Sequence, residues 1–499
     1  MRSRNISIVV FLTSLWAFGQ TAVPADVQET LGSIRATALR GDLSFLASDL
    51  LEGRDSPSRG LDIAAEYIAS QFRIAGLEPG VAGDYFQNAQ MVDVQPNFAD
   101  FQMTLSRGGR DFSVRPDDVL LQVDSAVDLK DAPLFKLDST DAELVGKLAG
   151  GPAEGSVLIT AHNPRLLARS PAAARILRGA KLVILVDPHG VRLREEPLHQ
   201  LRDPDEPGAD IPQITVSGDA MAHFYAHLKP GPTDAVISAH IDAPIRKRAT
   251  LRNVIGILRG SDPVLRDTCV MLTAHYDHLG VRPDGSGDRI YNGANDDGSG
   301  TVSVIAAARA LALLKQRPKR SIVFMTFFGE EEGLLGSEYY AHHPVWPLEK
   351  TVAQLNLEQV GRTDSTVGRQ MANATLTGFD YSDLTSYVQR AGASTGIRIY
   401  KHVQNSDAYF AASDNISLAE EGVPAETLAV SFDFPDYHAV GDEWQKIDYD
   451  NMAKVDRAVT LAVYLMAASD QPVRWNEANP KTTPYVRAWK RRGEQQPVR

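Results

Sequence analysis

Histidine and carboxylate residues recur in one kind of place in the second half of this chain, directly after short apolar runs. His275, Asp277 and His278 follow CVMLT in AHYDHLG. Asp296 and Asp297 lie in the glycine-rich NGANDDGSG. Glu330, Glu331 and Glu332 follow SIVFMTF in FFGEEEGLLGS, Glu358 ends QLNLE, and His438 stands in FPDYHAVGDE. Taken singly, a histidine after a strand is more often structural than a ligand, and a glutamate triplet is usually a solvated loop. Three adjacent carboxylates capping an apolar strand nevertheless repel one another unless a cation compensates. Zinc suits imidazole nitrogen and carboxylate oxygen where thiolate is absent. The single cysteine, Cys269, sits in the apolar run TCVMLTAH and reads as a core residue. Two zinc ions about 3.5 to 4 Å apart can share a bridging carboxylate and clamp a hydrolytic water. The ligand types here suit that arrangement.

The elements that must hold these residues follow a regular order. From Arg252 onward, strand, loop and helix alternate through NVIGILRG, CVMLTAH, TVSVIAAARALALLKQ, SIVFMTFFG and TVAQLNLEQ. That alternation predicts a layered α/β domain, in which ligands collect just beyond the carboxyl ends of strands. Upstream, residues 26–48 predict helix, and LASDLLEGRDSPSRG reads as a loop. In LDIAAEYIASQFRIAGLEP, the residues Ile63, Ala64, Tyr67, Ile68, Phe72 and Ile74 have helical spacing, and Gly76 and Pro79 end the helix. Residues 85–128 read as strands, and the stretch from about 130 to 245 as a compact inserted α/β module. The expected organisation is a first part of the principal domain over 26–128, an insert over 129–247, the remainder of the principal domain over 248–470, and a polar, basic tail over 471–499 that is draped on the surface or partly disordered.

With 499 residues the chain exceeds one ordinary core. Its formal net charge of -12 argues against nucleic acid as a partner, since phosphate binding needs clustered Lys and Arg. Arg2 and Arg4 precede an apolar stretch from Ile6 to about Gly19, and small residues follow in QTAVPA. This is the pattern of a secretory signal over residues 1–25, and it falls short of the roughly 18 to 20 apolar residues a spanning helix needs. The expectation is a secreted or periplasmic protein with no stable membrane insertion. Oligomeric state is not legible in the sequence.

In this order, AHYDHLG, GANDDGSG, GEEEGLLGS and a late YH resemble the family 28 metallopeptidases, which include bacterial leucyl aminopeptidases, plasma glutamate carboxypeptidase and glutamate carboxypeptidase II. The resemblance spans roughly residues 250–465, and LEGRDSPSRGLDIAAEYIASQFRIAGLEPG looks like the family's N-terminal segment. It implies a three-layer zinc-peptidase domain with a mixed central sheet, plus a smaller β-rich α/β protease-associated domain as the insert. It also implies roles. His275 and Glu358 would hold one zinc, Glu331 and His438 the other, and Asp296 would bridge the two. Asp277 would orient His275, and Glu330 would be the general base. Many members have Asp where this chain has Glu358. Asp297 and His278 receive no ligand role, Glu332 reads as a loop residue, and Asp414 matches a segment near the site without an assigned role. The implied activity is removal of N-terminal residues from peptide substrates. The alternatives are a carboxypeptidase or dipeptidase of the same family, which would need a cation such as Arg362 near the site, a single-zinc glutaminyl cyclase, and a non-catalytic binding protein.

Overall fold

The computed structural model describes residues 23–138, 155–163, 167, 171–190, 199–204, 211–282, 287–366 and 368–494. The expected signal, residues 1–25, lies outside them except for its last three positions.

Four parallel strands form the centre of the principal sheet: β1 (Cys269–His275), β2 (Ser321–Phe327), β3 (Thr351–Glu358) and β4 (Ala425–Ala429), in the spatial order β4-β3-β1-β2. Beyond β2 the antiparallel strands Ile245–Leu258 and Phe86–Gln95 extend the sheet, and Gln200–Arg202 pairs on the far edge. Beyond β4 lie Asn373–Leu376 and Arg398–Tyr400, so the sheet is mixed, as expected.

Alternate residues of the central strands feed two cores. Val270, Leu272 and Ala274 pack with helices Ala36–Leu46, Arg59–Ile74, Gly300–Ala312 and Tyr449–Ala468. Cys269 and Met271 pack on the other face with Tyr340, Leu418 and Trp475. Covering both faces is what a near-continuous apolar parallel strand requires, and it makes the domain three layers deep. Local signals set the helix starts. Ser58 caps Arg59–Ile74 by accepting from Leu61 N at 3.0 Å, and Asp448 caps Tyr449–Ala468 by accepting from Asn451 N at 3.1 Å.

A second sheet has its own core and comprises, among the described residues, Arg110–Ser113, Gln102–Arg107, Gly231–Ile241, Val127–Lys136, Val157–Thr160, Leu182–Asp187, Gln213–Ser217 and Val119–Gln122, in that order. It opens at Gln102, ahead of the boundary expected at residue 129. Alternating strands look alike whichever sheet they join, and among the strands of 85–128 only Phe86–Gln95 belongs to the principal sheet. The end of the chain also departs from the reading of a draped tail. Thr483–Glu494 is a helix, and Trp475 is buried, stacks on Tyr485 with centroids 5.2 Å apart, and donates from Nε1 to Gly422 O at 3.1 Å. A few aromatic residues in a polar segment are enough to anchor it. Cys269 is buried in the core, as expected. Among the described residues no helix is long and apolar enough to cross a membrane.

Candidate active site

All four parallel strands deliver their carboxyl ends to one place. His275 is the last residue of β1 and Glu358 the last of β3. Glu330 and Glu331 follow β2 by a short turn, and His438 arrives on the loop after β4. Asp296 lies in the turn that leads into helix Gly300–Ala312. That turn needs glycine at Gly293, where φ is +55° and a Cβ would stand 2.4 Å from Asp296 O and from the His278 ring.

Asp296 stands between the two halves of the cluster. Its Oδ1 is 3.3 Å from His275 Nε2, and its Oδ2 is 3.3 Å from His438 Nε2. Glu358 Oε2 is 3.5 Å from His275 Nε2, and Glu331 Oε2 is 3.3 Å from His438 Nε2. Glu330 Oε2 lies 4.0 Å from His275 Nε2. Asp277 has no exposed surface. Its Oδ1 is 3.5 Å from His275 Nδ1 and accepts from Glu330 N at 3.2 Å, while its Oδ2 accepts from Glu331 N at 3.4 Å. The sequence-predicted residues therefore converge in one cluster.

The separations test whether this donor set fits a metal. They exceed the 2.7–2.9 Å or so of a charge-assisted N–H···O bond. Ligand atoms about 2.0–2.1 Å from a tetrahedral zinc ion stand about 3.3–3.4 Å apart, close to what is found here. A nitrogen- and oxygen-donor set of this kind fits zinc.

Several neighbours went unread in the sequence or read differently there. His278 Nδ1 lies 2.6 Å from Glu331 Oε1, which orients that carboxylate. Asp297 accepts on Oδ1 from Gly300 N at 3.0 Å and Gln359 N at 3.1 Å, while other ligand atoms bring it into a group with His275 and Glu358. Glu358 reaches the cluster with its extra methylene because Ser413 Oγ donates to its Oε1 at 2.6 Å. Glu332, expected as a loop residue, is half-buried in a group with Asp55 and His199, and burial pushes its carboxyl well above the usual range. Asp414 is fully buried beside the site, and burial raises it to about 7.

Arg54 lies in LEGRDSPSRG and Asp442 in FPDYHAVGDE, but neither received a role from the sequence. Arg54 is buried and donates to the carbonyls of Tyr276 (2.8 Å), Leu46 (2.6 Å), Asn292 (2.7 Å) and Gly293 (2.9 Å), clamping the segments that carry His275 and Asp296. Asp442 accepts from Asn295 N at 2.9 Å and Asp296 N at 3.0 Å. Their partners are backbone groups, which leave no trace in side-chain spacing.

The cluster forms the floor of a cavity of about 120 Å³. Its walls include Gln359, Thr377, Tyr409, Phe432, Asp433 and Tyr437. Tyr437 stacks on His438 with centroids 4.0 Å apart. Burial pushes Glu330 well above the ordinary carboxylate range, helped by the charges of Glu358 and Glu331 and opposed by His275. Arg362 points elsewhere. It is buried and bound to Asp364, and its Nη1 donates to Asp436 Oδ2 at 3.0 Å.

Residues 253–463 match the model of Peptidase family M28. Aminopeptidase YwaD of Bacillus subtilis is 29% identical over 226 residues, covering 43% of this chain and 44% of that protein. The probable glutamate carboxypeptidase VP8 of Zea mays is 28% identical over 235 residues, covering 44% of this chain and 29% of that protein. The matched stretch thus spans less than half of either relative. The fold is shared more widely. The structure of an aminopeptidase from Aneurinibacillus sp. strain AM-1 superposes with a TM-score of 0.60 at 19% identity over 89% of this chain and 97% of that one. That of BSAP, a zinc aminopeptidase from Bacillus subtilis, gives 0.57 at 20% identity over 88% and 96%. Residues 253–463 are thus the part of the chain that is similar to peptidase family M28.

Proposed function

We propose that the protein is an aminopeptidase that works with two zinc ions, one held by His275 and Glu358, the other by Glu331 and His438, with Asp296 shared. The observation that carries the amino-terminal preference is the chemistry of the cavity. Asp296, Glu330, Glu331 and Glu358 line its floor, and among the described residues no lysine or arginine lines it, which suits the ammonium of a free N-terminus better than a carboxylate. A carboxypeptidase would need a cation for the substrate's carboxylate, and Arg362 is committed to Asp364 and Asp436. YwaD, BSAP and the AM-1 enzyme carry aminopeptidase in their names, which agrees with this reading.

Bound zinc supplies Lewis acidity, polarising a carbonyl and making water acidic near neutral pH. The residues of the chain do the positioning and the proton transfer. Glu330, with its backbone N–H held by Asp277, takes the proton of the attacking water on its carboxylate and delivers it to the departing amine nitrogen. Asp277 fixes the ring of His275 from behind. His278 does the same for Glu331, and Ser413 for Glu358. We further assign the second sheet as a protease-associated insert and residues 1–25 as a secretory signal, placing the mature enzyme in the periplasm or outside the cell.

The test uses the zinc-loaded chain and three versions of one short peptide, with both ends free, N-acetylated, or C-terminally amidated, and reads products by mass. Stepwise loss of N-terminal residues, blocked by acetylation alone, is expected. Cleavage blocked by amidation instead would move the enzyme to the carboxypeptidases.

A further inference from the structure

We propose that Asp433 makes the cavity select peptides whose first residue carries a basic side chain, lysine or arginine. The inference rests on the aminopeptidase reading above and deepens it.

Five carboxylates line the cavity, and four of them face imidazoles. Asp296 faces His275 and His438, Glu331 faces His278 and His438, Glu358 faces His275, and Glu330 stands 4.0 Å from His275. Asp433 differs. Its backbone is fixed, because its carbonyl accepts from Thr366 N at 2.9 Å and from Ser431 Oγ at 3.0 Å. Its carboxylate, by contrast, makes no hydrogen bond or ion pair among the described residues. A half-buried carboxylate on a cavity wall loses hydration without a partner in return. A cation brought by the substrate supplies that partner.

The rings beside Asp433 say what should precede the cation. Phe432 stacks on Tyr409 with centroids 5.2 Å apart and planes within 12°, and both line the cavity. An aliphatic stem can lie along such a wall while its charged end reaches the carboxylate, with cation–π attraction added over the rings. Lysine and arginine have that shape, an apolar stem ending in a cation. The α-amine is a poorer candidate for Asp433. It lies beside the scissile bond and so must sit over the histidine–carboxylate cluster, with which Asp433 shares no hydrogen bond or ion pair.

Norleucine has the stem of lysine without its ammonium, so the lysine-to-norleucine ratio isolates the proposed contact. We would measure kcat/KM of the zinc-loaded full chain and of Asp433→Asn on lysyl, arginyl and norleucyl anilides. Binding of lysinamide and norleucinamide to both proteins would be measured by calorimetry. The expected result is a wild-type preference for the basic residues of roughly tenfold or more, carried mainly by KM, that collapses by a similar factor in the variant. A ratio that is the same in both proteins, whether both rates fall together or neither does, overturns the proposal. If the wild type hydrolyses none of the anilides, the aminopeptidase reading fails, and the binding arm still decides on Asp433. Tighter lysinamide binding that Asp433→Asn abolishes upholds it, and equal binding of the two amides overturns it.

Discussion

Glu330 and Glu331 are neighbours in sequence whose carboxyls answer to opposite surroundings. Burial acts against the charge of both. His438 and His278 overcome it at Glu331 and hold that carboxyl well below the usual range, whereas Glu330 has only His275 at 4.0 Å and stays well above it. Glu330→Gln keeps the shape and removes the base. It is expected to bind two zinc ions per chain by metal analysis while its kcat falls by about 10²- to 10⁴-fold, and normal turnover in that variant would take the role from Glu330. The ligand and base candidates were legible in the sequence because metal chemistry constrains residue type and the strand–loop pattern constrains position. Arg54, Asp442 and Ser413 were not, because what they hold is backbone or a partner far away in the chain.

Strands carry the chemistry here because four parallel strands end together, and one of them also buries an acid for its own stability. Glu426 of β4 has no exposed surface and accepts from Ser382 Oγ at 2.6 Å and Thr385 Oγ1 at 2.8 Å, and burial raises its carboxyl from 4.5 to about 8. The folded chain therefore keeps a proton that the unfolded chain has released between those values. This contribution to stability is complete below pH 4.5 and is lost as the pH rises through about 8. Glu426→Gln is expected to flatten the fall in melting temperature across that window and to melt higher than wild type at its alkaline end. An unchanged pH profile would show that Glu426 does not carry the slope. At this scale the alternation of strand and helix was readable from the apolar runs. The helix Thr483–Glu494 was not, because its anchors, Trp475 and Tyr485, lie in otherwise polar sequence and bind a surface made by residues far upstream.

The whole molecule joins its two sheets beside the site. Gln200–Arg202, from the stretch between strands of the second sheet, pairs with Phe86–Gln95 of the principal one, and His199 lies 3.0 Å from Asp93 and 3.5 Å from Asp55. The sequence signalled an insert but not this return to the principal sheet, since a three-residue edge strand has too little pattern to read. Zinc should stabilise the assembly as a whole, because it offsets the repulsion among the clustered carboxylates. Loading at a thousand times the dissociation constant is expected to add about 4 kcal/mol, seen as a higher melting temperature than in excess chelator, and coincident melting curves would speak against the metal centre. Arg54 and Asp442 grip the same short loop from distant parts of the chain. A ribosome emits residues in order, so the loop bearing Asp296 has only part of its support until residue 442 has emerged, and His438 arrives almost as late. A chain built this way has no complete centre until residue 442 has emerged, and a proteolytic fragment that ends before His438 lacks it.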